Sequence, residues 1–314
     1  MTQSPPISSS ILSRIGNTSL IELRSLVPKG YARILLKLES ENPTASMKDR
    51  MALAMIEGAE AKGRLKPGGA VVEYTGGSTG GSLALVCAAK KYPLHIVSSD
   101  AFSQQKLDQM RAFGAKLTII KSLEGGMNAT LTRIMIETAR QISESTGAFW
   151  TDQFNNTDQL TAYRPMAAEI WEQTGGHVDA FVQSVGTGGS LRGVAENLRA
   201  KRSSLHITAV EPAESAVLSG GHTGSHKIEG IGAGFVIPHW KPGLANEIMP
   251  VSTQDAMEMA RRLAREEAIM AGTSTGANLV AALKVAQRLG AGATVVTLMC
   301  DSGAKYLSGE LYKS

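Results

Sequence analysis

The sequence predicts an α/β protein, two α/β domains with mainly parallel twisted sheets covered by helices. Three observations carry this reading. Short apolar, β-branched runs alternate with longer stretches whose apolar residues recur at helical spacing. Glycines gather where a strand-like run hands over to a helix-like one, at Gly76-Gly77 with Gly80-Gly81 and at Gly186 with Gly188-Gly189. A chain of 314 residues, 43% hydrophobic and 19% charged, is also long enough for two ordinary buried cores.

Taken in order, a helix over 47–62 follows a proline-containing loop, in which Pro43 biases Asn42 towards extended backbone and Ser46 is placed to cap a helix opening at Met47. A strand over 70–74 leads through glycines into a helix over 82–91. Strands over 94–98 and 116–120 flank a helix over 104–113, and a further helix spans 127–143. In the second half, strands over 179–185, 206–210 and 294–299 are separated by helices over 191–201, 253–267 and 277–289. Such alternation favours parallel sheets with helices on both faces. Two glycine-rich joints, one in each half, imply two sheets sharing a cleft, because open α/β sheets bind ligands at the carboxyl ends of their strands. A polar stretch places a boundary near Asn155-Asn156.

Charge and composition narrow the function. The 32 basic and 28 acidic side chains are interspersed, and a formal +4 with no basic stripe argues against nucleic acid as a partner. Cys87 and Cys300 lie inside apolar runs and are expected to be buried and reduced; with no paired histidine spacing, no metal site is indicated. The first ten residues are uncharged and rich in Ser and Pro, unlike a signal peptide, and no apolar run approaches membrane-spanning length. A cytoplasmic location, with no membrane contact, is the expectation.

Four stretches carry chemistry. Asn42-Pro43-Thr44-Ala45-Ser46-Met47-Lys48-Asp49-Arg50 sets Lys48 at a helix amino terminus, where the helix dipole disfavours a cation. A lysine there is ordinarily a solvated charge. In a dry site its pKa falls further, and a free amine can form a Schiff base with an aldehyde such as pyridoxal phosphate. In Phe181-Val182-Gln183-Ser184-Val185-Gly186-Thr187-Gly188-Gly189-Ser190, strand, loop and helix succeed one another, and helix-start amides with the hydroxyls of Thr187 and Ser190 suit a phosphate. A dinucleotide site is the rival, since Glu211 ends the next strand where a ribose-binding acid would fall. Glu73-Tyr74-Thr75-Gly76-Gly77-Ser78-Thr79-Gly80-Gly81-Ser82 can grip a small carboxylate through amides and hydroxyls, or can be a capped glycine turn. Ala271-Gly272-Thr273-Ser274-Thr275-Gly276-Ala277 opens another helix, with Ser274 as a cap or aimed elsewhere.

Together these stretches resemble the cysteine synthase (O-acetylserine sulfhydrylase) family of fold type II pyridoxal phosphate enzymes, whose fold is tryptophan synthase β-like. The resemblance runs from Ile15-Gly16-Asn17-Thr18 to Lys305-Tyr306-Leu307-Ser308 and includes His226-Lys227-Ile228-Glu229-Gly230-Ile231-Gly232-Ala233-Gly234-Phe235, similar to a glycine-rich segment facing the active site. It implies Lys48 as the Schiff-base lysine, Gly186, Thr187, Gly188, Gly189 and Ser190 as the phosphate cup, and Ser274 against the pyridine nitrogen. Thr75, Gly76, Gly77, Ser78, Thr79, Gln153 and Gly230 fall in the substrate region, with Ser78 also on the cofactor. It implies a larger phosphate-binding domain of 1–46 plus 156–314 and a smaller domain of 47–155 carrying Lys48 and the substrate loop. Members with an acid matching Glu211 remove that residue's weight for a nicotinamide cofactor. Two departures stand out: relatives usually read Thr-Ser-Gly-Asn-Thr where this chain has Thr75-Gly76-Gly77-Ser78-Thr79, and often Pro-Ser-Ser-Gly where it has Cys300-Asp301-Ser302-Gly303.

The implied reaction is β-replacement on an activated serine, such as O-acetylserine, through an aminoacrylate intermediate, with Lys48 as general base and sulfide or another nucleophile adding at the β-carbon. A neutral Ser274 hydroxyl makes the ring a weak electron sink, which favours prompt loss of a β-group over transamination. The nearest rival is β-elimination, as in a cysteine desulfhydrase. The dehydratase branch usually has Gly-Ser-Phe-Lys where this chain has Ala45-Ser46-Met47-Lys48, and a long cystathionine β-synthase needs more chain. From other classes, a nicotinamide oxidoreductase and a silent amino-acid sensor remain. The partner expected is a small amino acid; a homodimer follows from the resemblance alone, and association with a serine acetyltransferase is left open.

Overall fold

The computed structural model describes residues 8–122 and 129–313. Along the chain lie β1 (Leu20–Leu23), β2 (Arg33–Leu38), α1 (Lys48–Ala61), β3 (Val71–Tyr74), α2 (Ser78–Lys90), β4 (Leu94–Ser99), α3 (Gln104–Ala112), β5 (Lys116–Ile120), α4 (Ala129–Thr146), β6 (Phe149–Trp150), α5 (Asp158–Ala162), α6 (Arg164–Gln173), β7 (Ala180–Ser184), α7 (Gly189–Lys201), β8 (His206–Pro212), β9 (Glu247–Val251), α8 (Thr253–Glu267), α9 (Thr273–Leu289) and β10 (Thr294–Met299).

Among the described residues these strands form two sheets, a six-stranded one in the order β1-β2-β10-β7-β8-β9 and a four-stranded one in the order β5-β4-β3-β6. All neighbours pair in parallel except β1, which runs antiparallel to β2 at the edge. Central strands buried on both faces explain the unbroken apolar runs: every residue of β3, β7 and β10 is buried. The carboxyl ends of these three strands run directly into Thr75, Val185-Gly186 and Cys300-Asp301, so one region collects groups from both sheets.

The α/β reading holds, and β5, α8 and β10 have the expected limits. The start expected at 127 for the helix over 127–143 lies outside the described residues; α4 extends to Thr146. α2 opens at Ser78, not at 82, because the Thr75 hydroxyl accepts the N–H groups of Gly77 and Gly80 at 3.1 and 3.3 Å and caps a glycine-rich first turn. α9 likewise opens earlier, at Thr273, with Gly272 in the capping place and no side-chain cap, so Ser274 is not its cap. β1, β2, β6, β9, α5 and α6 were not expected. In β2 the reason is Lys37, a charge inside an apolar run that is fully buried and bonded to Thr18 O at 2.6 Å and to Gln173 Oε1 at 2.9 Å.

Candidate active site

The segment before α1 is stitched to the end of β10. Met47 N donates to Cys300 O at 2.9 Å, Ser302 N to Ala45 O at 3.0 Å, and Ser46 pairs with Asp301 in an antiparallel bridge. Met47 takes the capping place of α1 without a side-chain cap, while the Ser46 hydroxyl accepts the Lys48 N–H at 3.2 Å. Asp49 turns back to accept the Thr44 N–H at 2.7 Å and the Thr44 hydroxyl. Arg50 is spent on Glu39 and Glu169. Of the charged side chains in this first turn, only Lys48 lines the central cavity of about 780 Å³. Among the described residues its ammonium has no hydrogen bond or ion pair. Burial holds its pKa below the ordinary lysine range; the Cys300 and Asp301 side chains oppose the shift, and the Lys106 ammonium adds to it.

One wall is the turn from β3 into α2. Thr79 Oγ1 donates to Gln153 Oε1 at 3.0 Å, and Gln153 Nε2 donates to Tyr74 O at 2.7 Å, so Gln153 braces the turn as well as lining the cavity. Behind it the Glu73 carboxylate accepts Gln153 N at 2.9 Å and Thr151 Oγ1 at 2.5 Å. Burial pushes Glu73 up to about 7 against these donors. Gly76 and Gly77 admit neighbours that a side chain would displace: a Cβ would come 2.5 Å from the Phe102 ring at Gly76 and 2.4 Å from the Lys106 stem at Gly77.

The opposite wall is the β7–α7 turn. Among the described residues, none of the backbone N–H groups from Gly186 to Ser190 has a protein acceptor. Gly186 has no room for a side chain, since a Cβ would lie 2.4 Å from Gly230 O, and Gly188 sits at φ +87°. The Ser184 hydroxyl, buried at the cavity wall, has no partner. Contrary to expectation, the Thr187 hydroxyl does not offer its proton to the cavity; it donates to Gln159 at 2.6 Å. Ser190 accepts from Gln183 at 3.1 Å. Gly186, Thr187 and Gly230 reach the wall, whereas Gly188, Gly189 and Ser190 form the turn and helix start without lining it.

Ser274, buried in the first turn of α9, lines the cavity together with Cys300, whose thiol burial pushes up in pKa. Glu211 is elsewhere engaged: its carboxylate accepts Leu218 N at 2.8 Å and Ser219 N at 3.0 Å, and it does not line the cavity. Thus Lys48, Thr75, Gly76, Gly77, Ser78, Thr79, Gln153, Gly186, Thr187, Gly230 and Ser274 share one cavity. Sequence reasoning missed Lys106, Glu229 and Tyr306 on the same wall, and noted Asp301 without a role for it.

Comparison with known proteins adds to this geometry. A family model described as pyridoxal-phosphate dependent enzyme matches residues 11–301. The chain belongs to that family. A cysteine synthase of Staphylococcus aureus is 41% identical over 300 residues, 95% of each chain. Among solved structures, a cysteine synthase from Entamoeba histolytica is 40% identical with a TM-score of 0.92, over 100% of this chain and 94% of that one. A hydrogen sulfide-producing enzyme from Fusobacterium nucleatum is 35% identical with a TM-score of 0.90, over 96% and 100% of the two chains. The chain is therefore an enzyme of the cysteine synthase type with pyridoxal phosphate as cofactor. The cavity fits that group: unpaired amides at a helix amino terminus for its phosphate, an orphaned buried hydroxyl at Ser184 and an unpaired lysine on the facing helix. Among the described residues no helix is long and apolar enough to cross a membrane.

Proposed function

We propose that this enzyme replaces the β-acyloxy group of an activated serine with a nucleophile such as sulfide, giving cysteine or an analogue. The reading rests on one observation above the rest, the unpaired amine of Lys48 opening onto the same cavity as Gly186 and Thr187, whose backbone N–H groups have no protein acceptor among the described residues. When bound, pyridoxal phosphate supplies an aldehyde for that amine and an electron sink for the substrate α-carbon. Lys48 would hold the cofactor through Nζ, and the same atom would serve as the base that takes and returns the substrate α-proton; burial lowers its pKa in the direction both roles require. The amides of the turn from Gly186 to Ser190, with Gly186 and Thr187 at the cavity wall, would hold the phosphate. Ser274, a neutral hydroxyl on the same cavity wall as Cys300, would meet the pyridine nitrogen. At the start of α2 the Thr75 hydroxyl takes the N–H groups of Gly77 and Gly80, and the amides of Ser78 and Thr79, which have no protein acceptor among the described residues, orient the amino-acid carboxylate. The two sheets correspond to a larger domain of 1–46 plus 156–314 and a smaller one of 47–155, and the enzyme works in the cytoplasm as a homodimer.

Borohydride reduction of the cofactor-loaded protein, followed by peptide mass analysis, should place the modification on Lys48. O-acetylserine with sulfide should then yield cysteine. An unmodified Lys48, or pyruvate formed equally fast with and without sulfide, would overturn the reading.

A further inference from the structure

One side of the cavity is wired by a chain of hydrogen bonds whose directions are fixed. Lys106 lies on α3, is 3% exposed and pairs with Glu229 Oε2 at 2.6 Å. The same ammonium donates to the Tyr306 hydroxyl at 3.1 Å and lies 4.3 Å from the centre of the Tyr306 ring. Tyr306 passes its own proton to Asp301 Oδ2 at 2.9 Å, and Ser78 donates to the same oxygen at 3.1 Å. Burial, reinforced by the Asp301 carboxylate, pushes the Tyr306 phenol well above its usual range, so it remains a donor to Asp301.

A serine hydroxyl has one proton and two lone pairs. With that proton committed to Asp301, Ser78 meets the cavity only as an acceptor. The acceptor character rests on this direction, because the charges around it nearly balance. Asp301 and Glu229 line the cavity as carboxylates, while the Lys106 cation is already shared between Glu229 and Tyr306. Lys227 at the rim is paired with Glu310 at 2.5 Å. Lys48 is reserved for the cofactor, and Lys305, buried behind the wall without a hydrogen-bond partner among the described residues, offsets the Asp301 carboxylate but offers no donor to the cavity. The cavity, about 780 Å³, is towards the large end of small-molecule sites at roughly 300–1,000 Å³, as a site shared by a cofactor and an amino acid requires.

We propose that Ser78 and Asp301 act together as an acceptor pair selecting an amino-acid ligand that carries an amine beyond its β-carbon, whether the donor or the nucleophile brings it. Asp301 is a positioning residue in this arrangement, and Ser78 makes the contact. The inference rests on the amino-acid reading of the site and adds the class of side group it takes.

The test is equilibrium binding to the cofactor-loaded enzyme, followed by cofactor absorbance, of three amino acids that differ in side group: 2,4-diaminobutyrate, aspartate and 2-aminobutyrate. The wild-type enzyme should bind the diamine roughly tenfold more tightly than the other two, the scale of one charge-assisted hydrogen bond. D301N, which can donate to Ser78 and free its proton, and S78A, which removes the acceptor without depending on the fold around Asp301, should each bring that ratio near one. A merely structural loss would weaken all three ligands alike and keep the ratio. Equal affinities in the wild type, tightest binding of aspartate, or a ratio preserved in both variants overturns the inference. Turnover is read separately: no cysteine from O-acetylserine and sulfide, alongside the expected ranking, unseats β-replacement and leaves the acceptor pair standing.

Discussion

Arg50 and Glu169 form a two-pronged ion pair, Nη1 to Oε1 at 2.7 Å and Nη2 to Oε2 at 2.8 Å, that ties α1 to α6. Arg50 also grips Glu39, just beyond β2, through Nε and Nη2 at 2.8 Å each, and Lys37 Nζ lies 2.7 Å from Glu169. The helix that begins with Lys48 is thereby fixed to the larger sheet by side chains shielded from water. Burial would raise the Glu169 carboxyl, but Arg50 and Lys37 hold it down at about 2.

Removing the guanidinium should therefore be costly. R50M leaves two buried carboxylates facing Lys37 alone, and a loss of about 3–5 kcal/mol is expected from urea unfolding at neutral pH. Because the native Glu169 pKa is depressed, its contribution is present above the ordinary glutamate range and is lost as pH falls towards about 2. The stability gap between wild type and E169Q should narrow across that window. An R50M protein as stable as the wild type would show that the cluster fixes nothing.

Lys48 has the opposite sign. In cofactor-free protein its native pKa is lowered by burial, so between that value and the ordinary lysine pKa of about 10.4 the unfolded chain binds more protons and stability rises with pH. K48M lacks this term. Cofactor-free K48M should be more stable than wild type at neutral pH, and the gap should close as pH climbs towards 10 or so. Thermal unfolding of both proteins across that range measures it; a gap that does not vary with pH would mean an unshifted amine.

How far the sequence discloses this site depends on distance along the chain. The cup after β7 and the turn after β3 are readable because each lies within one strand–loop–helix unit, where glycines and hydroxyls mark the joint. Lys48 is readable for the same reason, with a proline and a serine beside it. Asp301 and Lys106 carry no such local mark. They are joined through Tyr306, because Ser46 bridges to Asp301 beyond the carboxyl end of β10 and α3 packs against Tyr306. The fold shows the same limit in β2, where Lys37 reads as surface although Thr18, Gln173 and Glu169 bury it. The hydroxyl of Thr187 reads as a phosphate donor from its position, yet its proton goes to Gln159 on α5, a helix the periodicity does not reveal.

The brace between Thr79 and Gln153 gives a binding prediction. T79V keeps the volume near β-branched threonine but removes the donor and leaves Gln153 Oε1 buried without it. The α2 start should then loosen, and the affinity for an amino acid should fall by roughly tenfold as measured from cofactor absorbance, with cofactor retention little changed. Unaltered affinity would mean that the turn holds its shape through Thr75 alone.

Gly186 and Gly230 separate two ways of damaging the phosphate cup. A Cβ at Gly186 would lie 2.4 Å from the Gly230 carbonyl oxygen, a backbone atom that cannot swing aside, so G186A must displace the turn whose amides are unpaired. Gly230 sits at φ +85° with nothing within 4 Å of where an added methyl would stand, so G230A meets no clash and costs about 1–2 kcal/mol of backbone strain instead. Titration of cofactor-free protein with pyridoxal phosphate should accordingly show the larger loss in G186A, roughly tenfold or more if even one charge-assisted bond to the phosphate is broken. G230A should lower the melting temperature with a smaller change in cofactor affinity. If the two variants bind pyridoxal phosphate equally well, the amides after β7 do not hold its phosphate, and the anion must rest elsewhere in the cavity.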